Sequence, residues 1–214
     1  MIDRPDPQGP PPGRSEAEAR MAADLEYSME HARRVPIPRL FQKSFDGPFK
    51  TCIGCAEPLE ALPPYLIVKE IRGSETIVEY AVCASCHQEL EAQYSEESRA
   101  CINALFRDRV DFRRRFDDLI ASGRTWKAWV ETCILTGERR TPDSEFQAVA
   151  FCYENDLILS SWPYIISGPG LRMFEACLSP TTLELRDRFI RQRLGLPSIF
   201  SDHPATRLKP PHAG

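Results

Sequence analysis

Cys52-Ile53-Gly54-Cys55 and Cys83-Ala84-Ser85-Cys86 are two C-x-x-C pairs with 27 residues between Cys55 and Cys83. A C-x-x-C turn aims two sulfurs at one point, and the small Gly54 lets the backbone tighten around it. Two such turns supply four thiolates at tetrahedral corners. Zn²⁺ suits that donor set because it is borderline-soft and carries no geometric preference of its own. Four protein ligands leave no open position for water. One structural Zn²⁺ per chain, held by Cys52, Cys55, Cys83 and Cys86, is therefore expected, and Lewis-acid chemistry is not.

Three rival chemistries use the same residues. Iron would also accept four sulfurs, as in a rubredoxin-like electron carrier. Rubredoxins place glycine directly after a cysteine pair, whereas Ala56 and His87 stand there. Cys83-Ala84-Ser85-Cys86-His87 matches the C-x-x-C-H pattern of haem attachment, which would leave Cys52 and Cys55 unexplained. Thiol redox catalysis would need a βαβ context around one pair, and neither pair has it.

The elements around the pairs fix how they meet. Tyr65–Ile71 and Thr76–Val82 are rich in β-branched and aromatic residues, and Arg72-Gly73-Ser74-Glu75 reads as the turn between them. The second run leads straight into Cys83. Knuckle, two strands and knuckle over about residues 48–90 resemble the zinc-ribbon superfamily, on Cys52, Cys55, Cys83, Cys86 and the hairpin. That resemblance implies a small fold module with a closed structural site. Phe41, Phe45 and Phe49 are expected to pack on it.

Elsewhere the sequence predicts an α+β chain. Residues 1–14 are rich in Pro and Gly and should be disordered. Ser15 and Glu18 form a capping box for a solvated helical arm running to about Arg34, with Pro36 and Pro38 beyond it. Apolar spacing predicts one long helix over 95–121, starting at Ser95 and stopping at Ser122-Gly123. Glu145–Cys152 and Leu157–Trp162 read as strands, and Gly168-Pro169-Gly170 as a break before a short helix at 171–177. A last helix follows Ser179-Pro180 to Leu194 and Gly195. The organisation is thus a start and arm at 1–39, the cysteine module with its long helix at 40–123, a second α+β module at 124–197 and a tail at 198–214.

The second half repeats features of the first. Thr51-Cys52-Ile53 recurs as Thr132-Cys133-Ile134, and Tyr80-Ala81-Val82-Cys83 resembles Val149-Ala150-Phe151-Cys152. Thr136 and Asn155 then stand where the second ligand of each pair would be. A duplicated unit whose second copy lost its metal would bring Cys133 and Cys152 together on neighbouring strands. The alternative is two ordinary buried cysteines. Cys101 and Cys177 read as core.

The chain has 27 basic and 31 acidic residues, a net charge of -4, which argues against a general nucleic-acid binder. Arg107, Arg113, Arg114 and Arg115 are the candidate contacts for nucleic acid or a partner, with aspartates interleaved among them. The four histidines are His31, His87, His203 and His212, so the stretch between 88 and 202 holds none to pair with a nucleophile. No phosphate-cradling glycine loop is present, since Gly168-Pro169-Gly170 lacks the spacing and the Lys. Neither a secretory signal nor a membrane-spanning apolar run is visible, so a reducing cytoplasm is the default. The expectation is a cytoplasmic, non-enzymatic zinc protein whose partner is another protein. A nucleic-acid-binding protein is the runner-up.

Overall fold

The structure is a computed structural model, and it describes residues 16–195. The Pro-rich start, the Ser15 cap and the tail beyond Gly195 lie outside the described residues.

Helix α1 (Glu16–Glu30) ends short of the expected Arg34 and is not a loose arm. Ser28 is fully buried; its hydroxyl lies 2.6 Å from the Ser161 hydroxyl and accepts the Ser161 N–H. The chain then enters an unforeseen edge strand, β1 (Arg33–Pro36), where proline is tolerated because no second neighbour needs its missing N–H. Strands β2 (Tyr65–Arg72) and β3 (Glu75–Cys83) form the expected hairpin, closed by Gly73 at φ +59. Cys83 caps helix α2 (Ala84–Ala92), whose start immediately after the strand was not read from the sequence.

The expected helix over 95–121 is two helices, α3 (Glu96–Arg109) and α4 (Phe112–Ala121). Val110 is extended and buried, and the Asp111 carboxylate accepts the Arg114 N–H at 2.9 Å. Asp111 is thus an N-cap, not one more acid on a solvated face. The second half contributes β4 (Glu145–Tyr153), β5 (Asp156–Leu159), β6 (Tyr164–Ser167), α5 (Gly168–Ala176) and α6 (Pro180–Leu194). Gly168-Pro169-Gly170 does not break the chain; it opens α5, with proline in the first turn where its missing N–H costs nothing. The fold is α+β. One antiparallel sheet runs β1-β5-β4-β2-β3, with β6 also paired to β4. Among the described residues no helix is long and apolar enough to cross a membrane.

The two halves are copies related by a pseudo-two-fold axis. Val68 of β2 pairs with Val149 of β4, its own counterpart 81 positions on, and the ladder runs outward symmetrically from that pair. The isolated bridge Thr51–Pro58 recurs as Thr132–Arg139 at the same offset. Between β5 and β6 the second copy carries three extra residues, so the offset becomes 84 from Tyr80/Tyr164 onward. α2 and α3 then match α5 and α6 in place. At their meeting point the contacts are reciprocal, as a two-fold axis requires. The Ser95 N–H donates to the Thr182 hydroxyl at 3.1 Å, and the Ser179 N–H donates to the Ser98 hydroxyl at 2.8 Å.

The insertion between β5 and β6 is a docking hub. The Arg115 guanidinium on α4 donates to the carbonyls of Ser161, Trp129 and Pro163 at 3.1, 2.8 and 3.0 Å. Burial pulls it down to about 10, so it remains charged at neutral pH. Trp129 is 1% exposed and donates its indole N–H to the Ser160 carbonyl. Arg115→Met keeps the stem but orphans three carbonyls, at a cost of about 1–3 kcal/mol for each that stays dry. Urea unfolding is expected to show a loss of about 3 kcal/mol, against almost none for Arg114→Met. Equal midpoints for the two variants would remove the hub.

The three phenylalanines before the first pair divide. Phe41 is fully buried and Phe49 packs on the main core, but Phe45 is 97% exposed, contrary to the expected packing. It sits in a turn held from beneath. Buried Lys69 pairs with Glu79 at 2.9 Å and donates to the Gln42 carbonyl, while Glu79 accepts the Ser44 N–H and hydroxyl.

Candidate metal centre

The first pair lies in a knuckle that local hydrogen bonds define. The Cys52 N–H donates to the Glu57 carbonyl and the Ala56 N–H to the Cys52 carbonyl, both at 2.9 Å. Ala56 takes the left-handed conformation at φ +64, which leaves the next residues free to turn back. The Ile53 N–H donates to the Ala81 carbonyl at 2.8 Å, docking the knuckle on β3 two residues before Cys83. The second pair is not a matching knuckle. Cys83 ends β3 and caps α2, and Cys86 lies in the first turn of that helix. Its thiolates therefore meet the positive end of a helix dipole.

All four sulfurs lie within 4.8 Å of one another. A tetrahedron with metal–sulfur bonds of about 2.3 Å has sulfurs roughly 3.8 Å apart, so this cluster fits a tetrathiolate-bound ion. Cys52 and Cys83 are buried, Cys86 is half-buried and Cys55 is exposed. The Cys52 sulfur accepts the N–H groups of Gly54 and Cys83, each at 3.3 Å. Burial pushes its thiol up, but the backbone N–H groups around it outweigh that and bring it down to about 7. Burial raises Cys83 and Cys86; the hydrogen bonds of Cys86 pull Cys83 back in part while Cys52 raises it, and the neighbouring sulfurs raise Cys86 further. A cation at the centre would allow all four to be thiolates together. The convergence also separates this site from haem attachment, which would use Cys83 and Cys86 without Cys52 and Cys55.

Gly54 faces Cys86 directly. A Cβ there would lie 2.6 Å from the Cys86 Cβ and 2.7 Å from its sulfur. Gly54→Ala must push the helix away from the knuckle, and ligand positions matter within a few tenths of an ångström. The expected result is at least a tenfold loss of metal affinity in competition with a chromogenic chelator. An unchanged affinity would show that the two pairs do not share one ion.

The second copy reproduces the cradle with only one of its four cysteines, Cys133. The Cys133 N–H donates to the Glu138 carbonyl, the Gly137 N–H to the Cys133 carbonyl and the Ile134 N–H to the Ile165 carbonyl, bond for bond as in the first knuckle. The Ser167 N–H donates to the Cys133 sulfur at 3.2 Å, as Cys83 does to Cys52. Cys133, Thr136, Ser167 and Gly170 thus stand for Cys52, Cys55, Cys83 and Cys86. Burial pushes the Cys133 thiol up, but donors from Ser167 and Thr136 outweigh it and hold it below the ordinary thiol range.

This corrects the expected meeting of Cys133 with Cys152, and Asn155 as a lost ligand. Cys133 bridges Ile165 on the outer side of β6, and Ile165 pairs with Ala148. Cys152 lies four residues further along β4, about 13 Å at strand rise, and is fully buried. Cys101 and Cys177, expected as core, are half-buried and joined in a disulfide with Cα atoms 5.2 Å apart. No spacing signal points to that bond, which links positions 76 residues apart.

The four candidate contact arginines are engaged within the chain. Arg107 pairs with Asp108 at 2.8 Å, Arg113 with Asp117 at 3.0 Å and Arg114 with Asp118 at 3.6 Å, while Arg115 serves the hub. Arg113 also covers the Tyr27 ring. Searches with protein-family models, among curated proteins and among solved structures found no match to this chain.

Proposed function

We propose that the four-cysteine cluster holds one structural Zn²⁺ and that the chain is a non-enzymatic interaction or adaptor protein. The observation that carries the metal reading is the convergence of four sulfurs from a knuckle and a helix start within 4.8 Å. The donor set is closed, so the ion ties the loop at 51–58 to the junction of β3 and α2 and presents no site to a substrate. Each C-x-x-C pair lies against β3, and the ion joins parts of the chain that the hairpin alone would hold weakly. Support for a protein partner comes from Phe45, an aromatic side chain presented to solvent on an anchored turn, since exposed aromatics are frequent anchors at interfaces.

Co²⁺ substitution tests the closed site. The cobalt protein is expected to show the intense visible bands of a tetrahedral tetrathiolate, unchanged by cyanide or azide. Bands that shift on adding either anion would reveal an open position and overturn the non-catalytic reading.

A further inference from the structure

The two copies meet over a cleft that contains the pseudo-two-fold axis. Its floor is the helix-facing side of the sheet, including Leu66, Val68, Val82 and Val149, each less than one-tenth exposed. Helices α2, α3, α5 and α6 form its walls, and it encloses about 160 Å³. A dry apolar cavity of about 150 Å³ is large enough to take benzene. Tyr80, Tyr94, Phe106, Trp162, Tyr164 and Phe174 give it an aromatic lining, with Trp162 and Tyr164 stacked at 4.7 Å.

Copy-to-copy comparison shows where this cleft departs from simple packing. Tyr80 and Tyr164, Val82 and Ile166, and Leu90 and Phe174 are counterparts of like character. Four positions are not. Arg186 stands where the first copy has Ile102, Gln147 where it has Leu66, and His87 and Tyr94 where the second copy has Leu171 and Leu178. Arg186 lies over the Phe174 ring at 5.1 Å, and its charge is felt by the Tyr80 and Tyr94 hydroxyls. Burial pushes Tyr80 up to about 12, so at neutral pH it is an uncharged donor. The carboxylate lining the cleft, Glu91, lies 3.5 Å from His87. Pockets for small molecules have this make-up: an apolar body and a few polar groups that orient the ligand.

We propose that the cleft binds a small aromatic acid, with its ring on the Val68–Val149 floor and its carboxylate on the Arg186 guanidinium. The cleft shares helix α2 with the cysteine cluster, so it is titrated in the chain as purified, without chelator, and none of its variants alters a cysteine. The full-length chain is titrated with phenylacetate and, as the uncharged control, benzyl alcohol, following amide shifts by NMR. Phenylacetate is expected to bind one to one and at least tenfold tighter than benzyl alcohol. Arg186→Gln is expected to remove that tenfold preference and leave benzyl alcohol binding unchanged. Val149→Phe, which fills the floor, is expected to abolish both; if it does not fold, Leu90→Trp on the wall makes the same test. No shifts at tens of millimolar phenylacetate, or an undiminished preference in Arg186→Gln, would overturn the proposal.

Discussion

Cys83→Ser is expected to release the metal and melt the knuckle and the start of α2, lowering the thermal midpoint by about 10 °C or more. The magnitude follows from the scale of structural zinc. Such sites contribute about 10–16 kcal/mol of apparent binding free energy in small zinc modules. Here β2 is held independently by β4, so only the metal-dependent part is lost. A loss of about 4 kcal/mol in a domain of this size moves the midpoint by roughly 10 °C. Serine is the informative replacement because it is itself a strong N-cap. It keeps the cap that Cys83 provides to α2 and removes only the sulfur. Cys152→Ser, at a fully buried cysteine outside the four-sulfur cluster and two strands from Cys83 across Tyr65, is expected to leave metal content unchanged. A Cys83→Ser protein that retains its metal, or loses it with no change in midpoint, would separate the ion from the fold.

The second large effect is a gain. The chain already carries serine at the place of Cys83 in its second copy, at Ser167, and hydrogen bonds around Cys133 hold that knuckle. The combination L135G, T136C, S167C and G170C, added to the native Cys133, is expected to raise zinc content from one to two per chain. Leu135 has to change because it occupies the place of Gly54. A Cβ at Gly170 lies 3.6 Å from the Leu135 Cβ, 3.0 Å from the Cys133 sulfur and 2.9 Å from the Ile166 Cγ2. The first copy accommodates Cys86 beside Val82, the counterpart of Ile166, so the branched neighbour is tolerated. The side chains thus exchange places between copies: glycine in the knuckle with cysteine in the helix, or leucine in the knuckle with glycine in the helix. A folded four-fold variant that still binds a single ion would show that the second knuckle is no longer a competent cradle.

What the sequence disclosed follows from how local the signal is. The meeting of the C-x-x-C pairs, the hairpin and the Ser95 and Ser179 caps rest on residues a few positions apart, and there the reading agrees with the structure; the second knuckle does not, because Cys83 ends a strand and Cys86 lies in the first turn of a helix. The duplication was visible in Thr51-Cys52-Ile53 and Thr132-Cys133-Ile134, but its register was not. Three extra residues between β5 and β6 shift the offset from 81 to 84, and the counterpart of Cys83 is a serine, so the cysteine at 152 drew a false match. The break at Val110-Asp111 was hidden because an aspartate that caps a helix has the same composition as one on its solvated face. The burial of Arg115 and the exposure of Phe45 depend on contacts across the fold. So does the Cys101–Cys177 bond.

Metal analysis of the native chain, purified without chelator, tests the central claim most directly. One zinc per chain in a colourless protein is the expected result. Much less than one zinc, or a red protein with iron in its place, would contradict it.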